Sequence, residues 1–336
     1  MQRKHRFILF VVFLSTFLLW KGHEALAHHG GGISTAFGPG APIETSSPLA
    51  MGRGRFLLFE RFEYVPFIQK SHAEPENVKS FIFANTLIGY GLTDALSLYA
   101  NLPLSVKKQD TLGTSKGFGD LGFMVQYGFK LGVRDGIRGL YSFGPEDTYG
   151  APYTLDDLKM SFFAGFTVPT GSTTKRDREG DPFELGMQPG FGSPSFTGGF
   201  AASRQLFPHF TLVGDTSLNV FSEYDGEKAG TETRFNVAGV YQVYEDMGGI
   251  LSRVDIIGES NLLYLKKDVE DKMKVDDSGG LIHYLSPGVR FTFRKYVSIG
   301  ALIKFPVWKD LNQEASQQGG EGLEKYRAIV TASISF

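Results

Sequence analysis

The sequence predicts an all-β fold, an antiparallel transmembrane β-barrel of about twelve strands. Apolar and polar side chains alternate with a period of two in many segments of roughly ten residues or more, which is typical of membrane-spanning strands. Tight and long connectors alternate between these segments, and the chain ends on an aromatic residue, Phe336. Together these features favour a barrel with short turns at one end and long loops at the other.

The first residues predict export. A basic start (Arg3, Lys4, Arg6) precedes an uncharged apolar run over 7–20, and Ala25 and Ala27 follow it. These are the three parts of a secretory signal peptide, so we expect residues 1–27 to be cleaved. A membrane anchor is the alternative, but the run is shorter than the roughly 20 residues that a spanning helix needs. We therefore expect the mature protein in the cell outer membrane.

The composition narrows the function classes. The chain has 42 Gly, 30 Phe and 14 Tyr, no Cys, and a formal net charge of -2. Without cysteine there is no disulfide framework, thiol chemistry or cysteine metal site. The charge gives no basic field for nucleic acid. Since no later apolar stretch approaches the length of a spanning helix, a membrane would be crossed by strands.

Twelve strands are predicted in the mature chain. They are placed near 53–66, 79–91, 95–105, 118–131, 157–169, 195–206, 209–221, 232–244, 250–265, 280–293, 296–307 and 324–336. The first two are the least regular, because Glu60 falls on the apolar face of the first and the second is apolar on both faces. The stretch 132–156 is long where a short turn is due, so it is either an elaborated turn or an additional hairpin.

The predicted domain division is a signal peptide (1–27), a flexible N-terminal segment (28–50) and the barrel (51–336). A soluble β-sandwich also shows period-two strands and is the main structural alternative. The predicted strands are long compared with the usual length of about 5 to 6 residues in soluble domains, and nearly all carry one apolar face. Both features favour the barrel.

The last strand resembles the signal by which the insertion machinery recognises bacterial outer-membrane barrels. Tyr326, Ile334 and Phe336 lie on its apolar face. Three shorter stretches, 91–98 (GLTDALSL), 117–121 (GFGDL) and 168–171 (VPTG), resemble the MetA-pathway of phenol degradation family. That resemblance implies a transporter-like outer-membrane barrel for small, aromatic or hydrophobic molecules. It implies no catalytic residues, and the motif residues themselves are typical of turns and strand ends.

If the apolar faces point outward, charged side chains line the interior. The pore-lining candidates are Asp215, Arg234, Arg253, Asp255, Glu259, Arg290, Lys304 and Arg327, together with Asp120, Lys130 and Lys159. One interpretation is a charged constriction that sets solute preference. The other is a salt-bridge network that fills and stiffens a narrow barrel. The predicted number of strands does not decide between these two interpretations, because eight-stranded barrels are filled by side chains and barrels of about 16 strands hold a channel.

Candidate chemistry outside the lumen is sparse. His28 and His29 could bind copper or nickel, since imidazole suits these metals, but no third ligand is placed beside them and a polar tail is the simpler interpretation. Zinc-protease and phosphate-loop motifs do not occur in the sequence. We therefore expect no cofactor and no enzymatic activity.

The function predicted from the sequence is passive passage of small solutes through an outer-membrane channel. The alternative is a structural or adhesive barrel with a filled lumen, which acts through its outer loops, for instance 170–194 and 308–323. Expected partners are outer-membrane lipid, lipopolysaccharide, the barrel-insertion machinery and small-molecule solutes.

Overall fold

The computed structural model describes residues 35–70, 77–149, 157–246, 248–294, 296–314, 317 and 320–336. The predicted signal peptide, His28 and His29 lie outside these residues. Within the described ranges, no helix is both long and apolar enough to cross a membrane.

Twelve antiparallel strands form a closed barrel, which confirms the predicted fold class. Each strand pairs with the next, and the last pairs with the first, from Leu57 opposite Ser335 to Tyr64 opposite Ala328. Closure leaves the barrel without an edge strand, which is the condition for a sheet to cross a bilayer. The strands, here β1 to β12 in chain order, are Phe56–Pro66, Val78–Gly91, Leu96–Gln109, Leu121–Arg134, Leu158–Val168, Ser195–Phe207, Phe210–Phe221, Glu232–Glu245, Leu251–Leu265, Gly280–Phe293, Val297–Leu311 and Arg327–Ser335.

The predicted alternation holds in β12. Val330, Ile334 and Phe336 are exposed on the outer surface, whereas Ile329 and Thr331 are buried inside. The backbone of Phe336 exchanges two hydrogen bonds with that of Phe56, at 2.8 and 3.0 Å between nitrogen and oxygen. The two rings also stack at 6.0 Å. The terminal aromatic residue therefore completes the seam at which the barrel closes.

The irregular first strand has a simple explanation. Glu60 does point outward, where it accepts a hydrogen bond from Thr86 Oγ1 at 3.1 Å. Arg61 and Glu63 point inward beside the buried Leu57 and Phe59. The mixture of apolar and charged groups on the inner face of β1 obscures its alternation in the sequence.

The connection over 132–156 contains the additional hairpin. After a turn at Asp135 and Gly136, both with positive φ (53° and 76°), a short strand Ile137–Ser142 pairs back on β4. A 3-10 turn, Pro145–Asp147, follows. Residues 150–156 lie outside the described part of the chain.

The two ends of the barrel differ. Short turns join β2 to β3, β6 to β7, β8 to β9 and β10 to β11 at one end, which is the periplasmic end in barrels of this kind. At the other end, the loop 170–194 folds inward and buries Phe183, Leu185 and Met187. A small sheet of Glu227–Lys228, Val269–Glu270 and Met273–Lys274 also lies among the long loops.

The N-terminal segment occupies the lumen. Residues 35–51, which we name the plug, include the buried side chains of Phe37, Ile43, Leu49 and Met51. The sequence-based division assigned 28–50 to a flexible segment. In the structure, residues 35–50 instead have fixed contacts with the barrel wall, because polar groups of the wall satisfy their backbone and apolar seats receive their side chains.

Candidate functional site: the plugged lumen

The periplasmic half of the plug is held by aromatic packing. The Phe37 ring lies 5.1 Å from Phe59, 5.4 Å from Tyr99 and 5.8 Å from Tyr149, measured between ring centroids. Tyr149 also donates a hydrogen bond from its hydroxyl to the carbonyl of Thr35 at 2.8 Å. Aromatic pairs at these distances contribute about 0.5 to 1.5 kcal/mol each beyond the area they bury.

A second apolar seat receives Ile43. Its side chain is fully buried in a cluster with Val240, Ile257, Leu302 and Ile329. Gly288 and Gly300 face it from β10 and β11, where an added Cβ would lie only 3.2 and 3.1 Å from Ile43 Cδ1. The absence of side chains at these two wall positions makes room for the plug.

Two wall carboxylates bind the backbone of the plug. Glu259 accepts hydrogen bonds from the amides of Ile43 (2.7 Å), Glu44 (3.0 Å) and Thr45 (2.7 Å), and from the Thr45 hydroxyl (2.6 Å). Asp215 accepts one from the amide of Ser46 at 2.7 Å. Hydrogen bonds to a charged acceptor are worth about 1.5 to 3 kcal/mol each, so these two residues fix the middle of the plug.

Arg290 supplies hydrogen-bond donors to the backbone of the plug. Its guanidinium is fully buried and donates to the carbonyls of Ala36, Ala41 and Pro42. The wall therefore supplies acceptors to plug amides and donors to plug carbonyls. This pairing satisfies a buried stretch of irregular backbone that has no sheet partner.

A chain of ion pairs of alternating sign links the plug to the outer loops. Lys304 lies 2.8 Å from Glu44, and Glu44 lies 2.7 Å from Arg61. The chain continues from Arg61 to Glu63 (2.9 Å), to Arg327 (3.0 Å) and to Glu324 (2.6 Å). All six side chains are buried or nearly so. Removing one member of such a buried network leaves its partner's charge uncompensated, which costs about 3 to 5 kcal/mol.

The other predicted lumen residues also point inward but form separate ion pairs. Arg253 lies 2.8 Å from Asp255, and Arg234 lies 2.7 Å from Glu232. Lys130 and Lys159 both approach Asp147, at 2.9 and 3.6 Å. The last two lysines therefore hold the periplasmic connection and lie away from the middle of the lumen.

The motif residue Asp120 fastens an outer loop. Its carboxylate accepts from the amides of Gly171 and Phe191, both at 2.8 Å, so it binds the start and the end of loop 170–194. Lys107 reaches the same loop and donates to the carbonyls of Gly186 and Gln188, each at 2.8 Å. The loop is thus held inside the outer half of the barrel.

A cavity remains beside Pro189 and Phe191 of this loop. It has a volume of about 130 Å³. Its lining includes Asn85, Asn101, Ser105, Lys107, Asn219 and Glu232, with aromatic walls from Phe83, Phe191 and Phe221.

Two carboxyl groups outside the spanning strands have shifted pKa values. Burial alone would raise the pKa of Glu44, but Lys304 and Arg61 outweigh burial and hold that pKa well below its usual range. Burial raises the pKa of Glu321 to about 7, although Arg327 opposes the shift. At neutral pH Glu44 is therefore ionised in its clamp, whereas Glu321 titrates.

Sequence reasoning missed several lumen charges. Arg61 and Glu63 were obscured by the mixed inner face of β1, yet they share the parity of Leu57 and Phe59, which could have placed them. Glu44 lies in the segment taken as flexible, and no sequence signal places it against Lys304. The other missed residues are Lys107, Glu232, Glu321 and Glu324.

Comparison with known proteins places the fold among outer-membrane β-barrels. No family model matches the chain, and no curated protein matches it. The crystal structure of an outer membrane channel from Pseudomonas putida F1 is similar, with a TM-score of 0.59 and 12% sequence identity, covering 86% of this chain and 98% of that chain. The NanC porin has a TM-score of 0.41 and 8% identity, covering 82% and 98%.

These likenesses support the broad class of outer-membrane barrels and do not identify the MetA-pathway family. OmpT, an outer membrane protein of Vibrio cholerae, has a TM-score of 0.31 and 11% identity, with coverage of 84% and 98%. The sequence-based exclusion of an enzyme was wrong as a general statement, because these likenesses show the fold alone and a fold does not decide the chemistry of a protein. Among the described residues, no group of three or more histidine or carboxylate side chains could hold a metal ion.

Proposed function

We propose that this chain is an outer-membrane channel for passive passage of small solutes, aromatic or hydrophobic ones among them, and that the plug closes it. The observation that carries the proposal is how the plug is held. The wall forms hydrogen bonds through Asp215, Glu259 and Arg290 with the backbone of the plug. The plug precedes β1 and is not itself part of the wall.

Movement of the plug would expose a lumen suited to water. The freed carboxylates and guanidinium would face each other across a polar interior, as charged groups do in aqueous pores. Gly288 and Gly300 add no side chain to the wall where Ile43 packs, so the lumen would be wider at that position. Twelve strands lie between the filled and the open barrel sizes, so moving one segment can decide between the two states.

The solute class rests on sequence resemblance. The motif stretches over 91–98, 117–121 and 168–171 resemble the MetA-pathway of phenol degradation family, and the similar barrel from Pseudomonas putida F1 is described as an outer membrane channel. Both support a transport role. We also propose lipopolysaccharide and outer-membrane lipid as surroundings, and export with cleavage after Ala27.

A structural or adhesive barrel remains the second candidate, because the lumen is filled in this structure. Its proposed working surface is less available than the sequence indicates. Phe183, Leu185 and Met187 of loop 170–194 are buried, and Leu311 and Leu323 at either end of the last outer connection are buried as well. The apolar side chains of these loops are thus not available to a partner, which leaves the exposed residues 178–182 of loop 170–194 as the surface of this second candidate.

The deciding experiment compares the refolded mature protein, from His28 onward, with a variant that lacks residues 28–51. Both are reconstituted in planar bilayers after heat-modifiable migration on gels shows that each barrel is folded. We expect brief or small conductance steps from the plugged protein and large, steady steps from the shortened one.

The outcomes separate the two candidates. A folded barrel without the plug that stays silent would overturn the channel and favour the structural barrel. Liposome swelling with benzoate and glucose then measures which solutes pass. In this plugged structure Arg290 donates hydrogen bonds to plug carbonyls, so Arg290→Ala should mainly increase the open time of the channel and change its ion preference less. Arg253 is paired with Asp255 on the wall, so Arg253→Ala should mainly change the ion preference.

A further inference from the structure

A basic pocket lies at the outer rim of the barrel, where β9, β10 and β11 reach their loops. Its volume is about 520 Å³. Among the described residues, its lining includes three lysines, Lys266, Lys267 and Lys274, and a single carboxylate, Asp310. Because the whole chain has a formal net charge of -2, the pocket is a local concentration of positive charge. Such a pocket attracts an anionic group.

The pocket borders the lipid-facing side of the wall. Tyr264, Leu281 and Asp310, which all line it, lie opposite one another across β9, β10 and β11. Tyr264 is 45% exposed, and Trp308, two residues before Asp310, is 51% exposed. Outward aromatic residues at the end of barrel strands mark the interface between the membrane and water. The pocket therefore lies at the height of the lipid headgroups of the outer leaflet.

The lysines reach the pocket from two segments. Lys266 and Lys267 directly follow β9, whereas Lys274 belongs to the small sheet. Lys267 Nζ lies 2.5 Å from the carboxylate of Asp276, whose side chain is 70% exposed. A pair so open to solvent is weak, and an ammonium group has three donors, so Lys267 can bind a second anion. Lysine is a common ligand of phosphate groups in proteins.

We propose that this pocket binds the phosphorylated sugar headgroup of an outer-leaflet glycolipid. The phosphate lies beside the three lysines, and the sugar lies against Tyr264. A lipid is favoured over a free anion because the pocket borders the membrane, which holds headgroups at that height. Lipopolysaccharide, proposed above as general surroundings, carries such a headgroup in its lipid A part. The site goes beyond the proposed channel function and does not depend on it.

The test compares lipid A with the same glycolipid after its phosphates have been removed. Native mass spectrometry measures their binding to the folded mature barrel, from His28 onward, in detergent. EDTA is present throughout, so that no divalent cation bridges a phosphate to Asp310. Lipid A should bind about tenfold or more tightly than its dephosphorylated form, since each lysine near a lipid phosphate contributes about fivefold.

Two matched double variants locate the site. Lys266→Gln with Lys267→Gln should weaken lipid A binding about 25-fold. Lys108→Gln with Lys116→Gln removes the same charge from exposed positions at the same rim, on β3 and the short strand Thr114–Phe118 that pairs with it. Because β3 is six strands from β9, on the opposite side of the barrel, this control should weaken binding at most about twofold at 0.1 M salt, where charges beyond roughly 10 Å are screened.

A third variant predicts a change of opposite sign. Asp310→Asn removes the carboxylate that faces the same pocket, so it should tighten lipid A binding severalfold. A gain of affinity cannot come from a damaged barrel. Unchanged or weaker binding by this variant would contradict the proposed position of the phosphate.

Three other results would overturn the proposal. Equal binding of lipid A and its dephosphorylated form would show that the acyl chains alone are recognised. Equal weakening by the two double variants would show a general attraction to the charged rim. Glucosamine 1-phosphate binding as tightly as lipid A would show a site for a free anion. None of these measurements uses conductance, so a silent barrel would reject the channel and leave this site standing.

Discussion

Arg61 of β1 and Glu44 of the plug form a buried ion pair, with Arg61 Nη2 2.7 Å from Glu44 Oε2. Lys304 approaches the other carboxylate oxygen at 2.8 Å. One plug side chain is therefore clamped by cations from β1 and β11, two strands apart around the barrel. The clamp fixes the plug across the lumen and connects it, through Glu63 and Arg327, to the outer loops.

Loss of the Glu44 charge should open the lumen. Glu44→Gln keeps the shape of the side chain but removes the negative charge that compensates Lys304 and Arg61. The plugged state should therefore become less stable by several kcal/mol at most, and the open probability should rise about tenfold or more. Single-channel recording measures the change. Glu60→Gln, the same substitution on the outward face of β1, is the control, and equal open probabilities in the two variants would contradict the clamp.

Glu259 should control local opening at the middle of the plug. Glu259→Gln loses charge-assisted acceptance from Ile43 and Thr45, so exchange of these two amide hydrogens should accelerate about 10- to 100-fold. Hydrogen exchange in a nanodisc measures it. Amides of β12 such as Thr331 should be unchanged. A uniform acceleration across the barrel would instead indicate global destabilisation.

The ion-pair chain should couple the plug to the outer loops. Arg61→Met removes the link between Glu44 and Glu63, so amide exchange should rise both at Glu44 and at Gly322, whose amide donates to Glu324. Arg234→Met removes a lumen arginine that is paired with Glu232 and should leave the Glu44 amide protected. If Arg61→Met loosens only the plug, the two regions are independent.

The Asp120 clasp should hold loop 170–194 inside the barrel. Asp120→Asn places an amide nitrogen against a backbone N–H of Gly171 or Phe191, so the loop should detach and be cleaved faster by added protease. Asp177→Asn is the matched control. Asp177 accepts three backbone amides at the tip of the same loop (2.8 to 3.0 Å) but does not bind its base. Equal cleavage of both variants would argue against the clasp.

The plug and the outer loop should respond oppositely to pH. Because the pKa of Glu44 is lowered, its stabilisation is present above the usual carboxylate range, near 4.5, and is lost only as pH falls well below it. Because the pKa of Glu321 is raised to about 7, the folded outer segment loses stability as pH rises from about 4.5 to about 7. Exchange protection factors at Glu44 and Leu323, measured from about pH 2 to about pH 8, test both directions.

The sequence by itself determined the barrel. Period-two alternation places each side chain on a face, and twelve such segments with alternating turns lead to one closed sheet. The same parity is sufficient to place Asp215, Glu259, Arg290 and Lys304 on the inner face. Local rules suffice here because strand pairing and facing depend on neighbours along the chain and on the nearest strand.

Only the tertiary structure decided what those inward charges contact. Residues 35–51 have no periodic pattern, since their backbone is satisfied by Glu259, Asp215 and Arg290 from distant strands and not by a ladder. The sequence left open whether the charges formed a constriction or a filling network. In the structure Lys304 pairs with Glu44, which lies 260 positions away along the chain, so the partner of this inward charge could not be found from its neighbours in sequence. Contacts of that span leave no local signature, because they are set by how the whole sheet closes around the segment.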